Sequence, residues 1–252
     1  MASVGVISVP LPDLVSSSMP PASVAIVDAA PAAGYLDAVG GQPMLPAAVQ
    51  AFTAASASGW ADPLALHHHG RQARLLLDAA RSSIAASLTA LGEAPVSAGE
   101  VWFTSTVEAA RQAILAAHPG PVQVGAVDPL ALIEAVGDRG RLMPVDALGR
   151  VDLAAWAQGQ HIDPRPGLAT LQAANPEVGT VQPVRAAADL LDADRSTANR
   201  AHDISLLMDA SQSVARCSLP NGWAAFTASA TDWAGPAGVA VLLVGVLDKV
   251  GT

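Results

Sequence analysis

Apolar positions along this chain follow two patterns, one typical of helices and one typical of buried strands. Where apolar side chains recur three and four residues apart, the spacing predicts amphipathic helices. These helices are Pro46–Ala57, Gln72–Leu91, Val107–Ala117, Pro129–Val136 and Val184–Ala193. Short continuous apolar runs predict buried strands. These strands are Val101–Thr104, Val122–Ala126, Arg141–Val145, Ala169–Ala173, Ile204–Met208, Ala224–Ala228 and Val239–Val244.

The order of these elements indicates the class of fold. Strands and helices alternate through most of the chain, which predicts an α/β domain of three layers with a largely parallel sheet. The longest late apolar run, Gly238 to Leu247, is too short to span a membrane. We interpret that run as a buried parallel strand.

The first 34 residues differ from the rest in composition. They are rich in Ala, Pro, Ser and Val, which divides the chain into an extension, 1–34, and a domain, 35–252. Two apolar runs, Val4–Val9 and Val24–Val27, flank a segment of Ser and Pro residues. Two interpretations stay open: a flexible tail, or an extension that packs along a neighbouring surface as an added strand.

Composition and charge narrow the classes of function. The 252 residues suffice for one large domain with a core, and 51% are hydrophobic, which excludes a disordered acidic chain. The net charge of −9 argues against non-specific binding of nucleic acid. No apolar run of about 20 residues lacks a breaker, and the first residues lack the basic start of a secretory signal. We therefore expect a cytoplasmic protein without a membrane partner.

The cysteine and the consecutive histidines of this chain do not predict a metal site. Cys217 is the single cysteine, so an internal disulfide and a cysteine-based zinc cage are excluded, and we expect a buried structural thiol. His67, His68 and His69 are consecutive, and adjacent side chains point in different directions. The histidines therefore predict no metal site.

Six short motifs occur in chain order between residues 35 and 244. They are Tyr35–Asp37 with Pro46 and Val49, His67–Arg74, Val101–Ser105 with Glu108, Ala174–Pro183, Met208–Gln212, and Ser229–Gly238. Together they resemble the cysteine desulfurases, which belong to the class V aminotransferase group of fold type I pyridoxal phosphate enzymes. The last motif is similar to that family's S-A-H-K-x-x-G-P-x-G, whose lysine forms the Schiff base with the cofactor.

The resemblance implies an architecture and an assembly. The large domain of the family holds a mixed sheet of seven strands, and its enzymes are dimers with active sites at the subunit interface. The family enzymes continue into a smaller C-terminal domain that supplies the catalytic cysteine loop. We expect that domain to be missing here, because few residues follow the last predicted strand.

Several cofactor positions of the family are retained. By resemblance, Asp209 matches the aspartate at the pyridine ring, Gln212 the glutamine near the phenolic oxygen, and Ser229 a phosphate-binding serine. Thr106 could shift into the place of a phosphate-binding threonine, and His67 matches a family residue with a structural or pocket role.

Other cofactor positions are changed. By resemblance, the family's phosphate-binding threonine is replaced by Val107 and its ring-stacking histidine by Asp128. An asparagine is replaced by Pro176 and a second histidine by Thr231. The lysine position is occupied by Asp232. A carboxylate cannot form an imine. Two like charges about 4 Å apart repel by roughly 4 kcal/mol at an effective dielectric near 20, so Asp128 and Asp232 oppose a dianionic phosphate. The sequence therefore predicts no catalytic residue and no bound pyridoxal phosphate.

Two functions follow as expectations. The first is a non-catalytic cysteine-desulfurase-like protein, acting as a structural or regulatory subunit of a homodimer or of a heteromer with an intact paralogue or another protein. The second is an enzyme without pyridoxal phosphate, in which Asp209 and Asp232 form an acid/base pair in the vacated pocket. Trp233, next to Asp232, is expected to fill space rather than to stack on a ligand.

Overall fold

A computed structural model describes residues 34–92, 94–159, 161–197 and 204–245 of the chain. The chain divides into two units, residues 1–36 and 37–252. The apolar runs at 4–9 and 24–27, and the two interpretations of the N-terminal extension, lie outside the described residues.

The second unit contains helices and strands in alternation. The helices are α1 (Pro46–Ser58), α2 (His68–Leu91), α3 (Val107–Ala117), α4 (Leu130–Val136), α5 (Leu153–Gly159) and α6 (Val184–Thr197). The strands are β1 (Val101–Thr104), β2 (Val122–Gly125), β3 (Gly140–Met143), β4 (Leu168–Gln172), β5 (Ala174–Asn175), β6 (Thr180–Val181), β7 (Ser205–Asp209), β8 (Ala225–Ser229) and β9 (Ala240–Val244). Short 3-10 helices lie at Ala98–Glu100, Gly137–Arg139 and Ala230–Trp233.

Seven strands form one mixed sheet in the order β1-β9-β8-β7-β4-β2-β3. The pairs β8·β7, β7·β4, β4·β2 and β2·β3 are parallel, whereas β9 is antiparallel to both β8 and β1. The prediction of a parallel strand in the run 238–247 is therefore wrong. A parallel return needs a crossover of a dozen or more residues, and the shorter link from Ser229 to Ala240 reverses the chain instead.

Helices cover both faces of this sheet. Residues of α2, α5 and α6 build one core with the strands, around the fully buried Trp156 and Phe226. Residues of α3 and α4 build the other, including Ile114, Leu115 and Leu132. Strands β2, β4 and β7 are buried throughout, as expected for strands covered on two faces. The three-layer α/β prediction and the seven-stranded mixed sheet are confirmed.

Most predicted elements agree with the observed ones to within a few residues. The structure adds α5 and the hairpin β5–β6, neither of which the apolar pattern predicted. Helix α2 begins at His68 instead of Gln72, because the His67 Nδ1 accepts a hydrogen bond from the Gly70 amide at 3.1 Å and so caps the first turn.

Parallel strands bring four strand ends to one edge of the sheet. Because β2, β4, β7 and β8 run in the same direction, Gly125, Gln172, Asp209 and Ser229 all lie at the carboxyl edge. In open α/β sheets this edge is where ligands bind. Among the residues described, no helix combines the length and the hydropathy that a membrane crossing requires.

Candidate functional site at the carboxyl edge of the sheet

Asp209 is the last residue of β7, and it is held by contacts from two elements. One carboxylate oxygen accepts a hydrogen bond from Arg111 Nη2 of α3 at 2.5 Å. The other accepts from the Ser211 amide at 3.1 Å and from the Ser211 hydroxyl at 2.8 Å. Arg111 is 5% exposed and Asp209 is 3% exposed, so this ion pair is shielded from water.

The segment that follows β8 carries the residue at the family's lysine position. The Ser229 amide donates to the Ser211 hydroxyl oxygen at 3.1 Å, which connects β8 to the Asp209 contacts. The hydroxyls of Ser229 and Thr231 lie 2.9 Å apart. Asp232 is buried in the 3-10 helix Ala230–Trp233, and its side chain is hydrogen-bonded to that of Gln212.

Two further segments fasten this turn through its backbone. Gln42 donates its amide hydrogen to the Thr231 carbonyl at 3.0 Å and its Nε2 hydrogen to the Asp232 carbonyl at 3.2 Å. Arg216 Nη2 donates to the same Asp232 carbonyl at 2.6 Å. The turn is therefore fixed from the chain before α1 and from the chain after β7.

Asp128 follows β2 and connects it to β4. Its carboxylate accepts hydrogen bonds from the Thr170 hydroxyl at 2.7 Å, the Gln172 amide at 2.8 Å and the Gly125 amide at 3.2 Å. A side chain at Gly125 would place its Cβ 3.1 Å from an Asp128 oxygen, so the close approach favours glycine. Burial raises the pKa of Asp128 to about 6, although these three donors act in the opposite direction.

The three carboxylates interact electrostatically. Burial is the larger cause, and the charge of Asp209 the second, of a raised pKa at Asp232. The hydrogen bond from Gln212 and the charges of Arg216 and Arg111 oppose that rise. Asp209 also contributes to the raised pKa of Asp128. Arg111 is thus the buried positive charge that faces this acidic group.

The structure brings together some of the residues that the sequence singled out and separates others. Those joined by contacts at the carboxyl edge are Asp128, Asp209, Gln212, Ser229, Thr231 and Asp232. Thr106 caps α3 by accepting from the Ala109 amide at 3.1 Å, and Val107 is the first residue of that helix. The side-chain hydrogen bond and the ring contact of His67 with His69 lie within residues 67–70. Pro176 lies in the β5–β6 turn, next to Asn175, whose side-chain amide donates to the Val127 carbonyl.

Two arginines of the site were missed by the sequence analysis. Arg111 occupies a buried position of α3 beside Ala110, with Ile114 and Leu115 following on the same face. A charged residue on an apolar helix face is a signal that the sequence contains, because such a charge needs a buried partner. Arg216 acts on backbone carbonyls, and no pattern in the sequence indicates such a role.

The prediction for Cys217 is wrong, whereas Trp233 lies as expected for a space-filling residue. Cys217 is exposed, because residues 215–218 form a surface turn between the buried Val214 and Leu219. Trp233 is half-buried and packs against the core that contains Phe226. Within the described ranges, no group of His, Cys, Asp or Glu side chains is arranged to hold a metal ion.

The chain matches no protein-family profile and no curated protein. Solved structures do match it. A NifS-like protein superposes with a TM-score of 0.72 at 21% identity, over 84% of this chain. A NifS-like protein from Rickettsia africae gives a TM-score of 0.72 at 18% identity over 86% of this chain. The apo cysteine desulfurase from Thermococcus onnurineus gives 0.65 at 15% identity over 84%.

The chain has the cysteine desulfurase fold. It spans 59% of the length of each of the two NifS-like proteins and 53% of the Thermococcus onnurineus enzyme. Because the identities are this low, the likeness concerns the fold, and the chemistry has to be argued from the residues of the site.

Proposed function

We propose that this protein is a non-catalytic relative of the cysteine desulfurases that acts as a structural or regulatory subunit of an oligomer. The observation that carries the proposal is Asp232. It stands at the family's lysine position, on a turn that Gln42 and Arg216 hold by hydrogen bonds to the backbone. The turn at this position is therefore held by the chain's own contacts, and it carries no amine of the kind that the family's chemistry requires.

The other side chains of the site also do not fit pyridoxal phosphate. Asp209, which the resemblance assigns to the pyridine nitrogen, has one oxygen bound to Arg111 and the other to Ser211. Asp128, at the stacking position, is a buried carboxylate whose contacts are to strand ends. The single lysine of the sequence is Lys249, which lies outside the described residues. We therefore propose no cofactor and derive no step that involves one.

The activity test uses the purified protein with added cysteine, pyridoxal phosphate and a reductant. We expect sulfide release equal to that of the buffer control. Sulfide release clearly above the control, together with an absorbance band of the cofactor that borohydride fixes covalently, would contradict the proposal.

Helix α1 and the turn after it supply a candidate contact surface. Helix α1 has no charged side chain and no buried residue. Phe52 is 53% exposed and Trp60 is 69% exposed, and Leu64 and Leu66 are also exposed. Exposed apolar patches of this kind mark interaction sites. In a protein with a net charge of −9, an uncharged helix is where a second copy can approach with least repulsion.

We propose a second copy of this chain as the occupant of that surface. Light scattering coupled to size exclusion is expected to give a dimer mass, and Phe52→Ser with Trp60→Ser to give a monomer. Leu130→Ser, at a residue of α4 that is 68% exposed, is the matched control and should leave the mass unchanged. A monomeric wild-type protein would contradict self-association, and a different co-purifying protein would identify a heteromer instead.

A second candidate function rests on the raised pKa of Asp232. Burial and the neighbouring Asp209 raise it, as acid/base work requires. If Asp232 acts as the acid/base group beside Asp209, carbon-13 NMR of labelled aspartates should detect a titration above the ordinary aspartate range that Asp232→Asn removes. Asp128 should give a second titration that persists in Asp232→Asn, because burial raises its pKa to about 6. An Asp232 resonance that titrates in the ordinary aspartate range would contradict this second function.

A further inference from the structure

The pair Arg111–Asp209 joins two elements that are far apart in sequence. Arg111 lies in α3 and Asp209 ends β7, and the Nη2–Oδ2 distance is 2.5 Å. Both side chains are inaccessible to bulk water. Removal of one partner from a buried pair leaves an uncompensated charge, which makes each partner strongly dependent on the other.

Asp209 accepts three hydrogen bonds from this chain itself. One oxygen is bound to Arg111 and the other accepts both hydrogens from Ser211. The second charge near Arg111 is Glu108, one turn earlier in α3, at 3.7 Å and half-exposed. The guanidinium therefore bridges a surface carboxylate and the buried one.

The Arg111–Asp209 pair lies in acidic surroundings. Asp209 lies at the carboxyl edge of the sheet, among Asp128 and Asp232, both of which its charge affects. An acidic group at this edge would attract a planar cation, because a carboxylate binds a planar nitrogen cation through charge-assisted hydrogen bonds. Arg111 provides such a cation from within the fold.

We propose that Arg111 is a built-in occupant of the Asp209 site, which excludes cationic nitrogen heterocycles from it. The inference rests on the proposed non-catalytic function and adds a specificity-determining residue to it. Shortening Arg111 opens a subsite for small planar cations, and a guanidinium or a pyridinium group then takes the vacated place against Asp209.

The first test uses thermal unfolding of the whole chain with Arg111→Ala. We expect Tm to fall by roughly 6–20 °C, because a buried charge loses its partner. Methylguanidinium at millimolar concentration should restore at least about 2 °C of that loss, since a ligand that binds only the folded state stabilises it. Sodium chloride at the same ionic strength should not. The matched control is Arg74→Ala, which removes an exposed arginine paired with Asp78, and methylguanidinium should leave its Tm unchanged.

The second test measures binding of 4′-deoxypyridoxine phosphate, which has a pyridine nitrogen but cannot form an imine. Fluorescence of the five tryptophans should report at least about tenfold tighter binding to Arg111→Ala than to the wild type. If Arg111→Ala does not fold, Arg111→Gln keeps the length and a donor without the charge, and it carries the same expectation. Arg111→Lys, which retains the charge, should bind the analogue as weakly as the wild type.

Two results would overturn the inference. One is a methylguanidinium effect on the variant no larger than that of sodium chloride. The other is wild-type binding of the analogue as tight as that of the neutral variants. Neither outcome depends on sulfide release, so failure here is distinguishable from failure of the proposed function.

Discussion

Asp209 and Arg111 are each more than nine-tenths buried. The mutual attraction of such a pair roughly offsets the cost of desolvating two charges, so the pair adds little net stability. The pair matters because each charge stays compensated in the protein interior only while its partner is present. Loss of either partner leaves the other as an unpaired buried charge.

Arg111→Met should destabilise the protein by about 3–5 kcal/mol, because Asp209 stays buried without its countercharge. The double variant Arg111→Met/Asp209→Asn should recover at least about 1 kcal/mol of that loss, since the unpaired charge is gone. Urea unfolding of the two single variants and the double variant measures the coupling. Purely additive free energies would contradict a direct ion pair.

Asp128 gives stability a pH dependence with a defined sign. Its pKa in the folded protein is about 6, above the ordinary value of 3.8, so the folded protein binds this proton more tightly than the unfolded chain does. The contribution to stability is fully present below about pH 4 and is lost as the pH rises through about 6, by on the order of 2–3 kcal/mol. Asp128→Asn should reduce this loss, as measured by urea unfolding between pH 4 and 7. Asp138→Asn, at an exposed carboxylate, is the control and should leave the pH profile unchanged.

Restoring the lysine alone should not restore desulfurase activity. Asp232→Lys returns an amine, but Asp209 remains bound to Arg111, and Asp128 remains at the stacking position. Groups that act together in a site recover little when one member is repaired. Sulfide release from cysteine should stay at the level of the buffer control, and turnover clearly above it would show a far less altered pocket.

At the scale of helices and strands, the sequence predicted the elements that have a clear pattern of apolar residues. Strands β2, β4 and β7 are buried on both faces, and short, mostly apolar runs predicted them. Helix α5 was missed because it has only seven residues and Trp156 is its single large buried side chain. One buried apolar side chain cannot show the helical spacing of three and four residues. The direction of β9 was missed because a buried strand is apolar whether it runs parallel or antiparallel to its neighbour. The length of the link from β8 to β9 is what indicates an antiparallel strand.

The candidate site was predicted less completely than the fold. The motifs located Asp209, Gln212, Ser229 and Asp232, because those positions follow strand ends that the motifs mark. They did not indicate Arg111, whose partner lies 98 residues away in the chain. They also did not indicate that Thr106 and His67 act as helix caps, since a capping residue and a ligand-binding residue have the same side chain in the sequence.

The capping role of Thr106 leads to a prediction for α3. Its hydroxyl oxygen accepts from the Ala109 amide, so Thr106→Ala should cost about 0.5–2 kcal/mol of unfolding free energy. Thr106→Ser keeps the hydroxyl and should lose much less. Thermal or urea unfolding of both variants gives the comparison, and equal losses would indicate that the cap contributes nothing.

At the scale of the whole molecule, the chain keeps the desulfurase fold at about one-fifth identity while the side chains at its carboxyl edge have changed. A fold constrains where strands end, and the residues at those ends determine the chemistry. Here carboxylates lie at or just after the strand ends and are hydrogen-bonded to neighbouring residues, and Arg111 of α3 contacts one of them.

The central claim, a desulfurase fold without its cofactor chemistry, is tested most directly by the absorbance spectrum of the protein purified from cells supplied with pyridoxine. The preparation is then reduced with borohydride and its peptides are mapped, with Lys249 as the single lysine to be examined. The account predicts no cofactor band and no pyridoxyl peptide at stoichiometric yield. A stoichiometric band that borohydride fixes on Lys249, accompanied by sulfide release that Lys249→Arg abolishes, would contradict it.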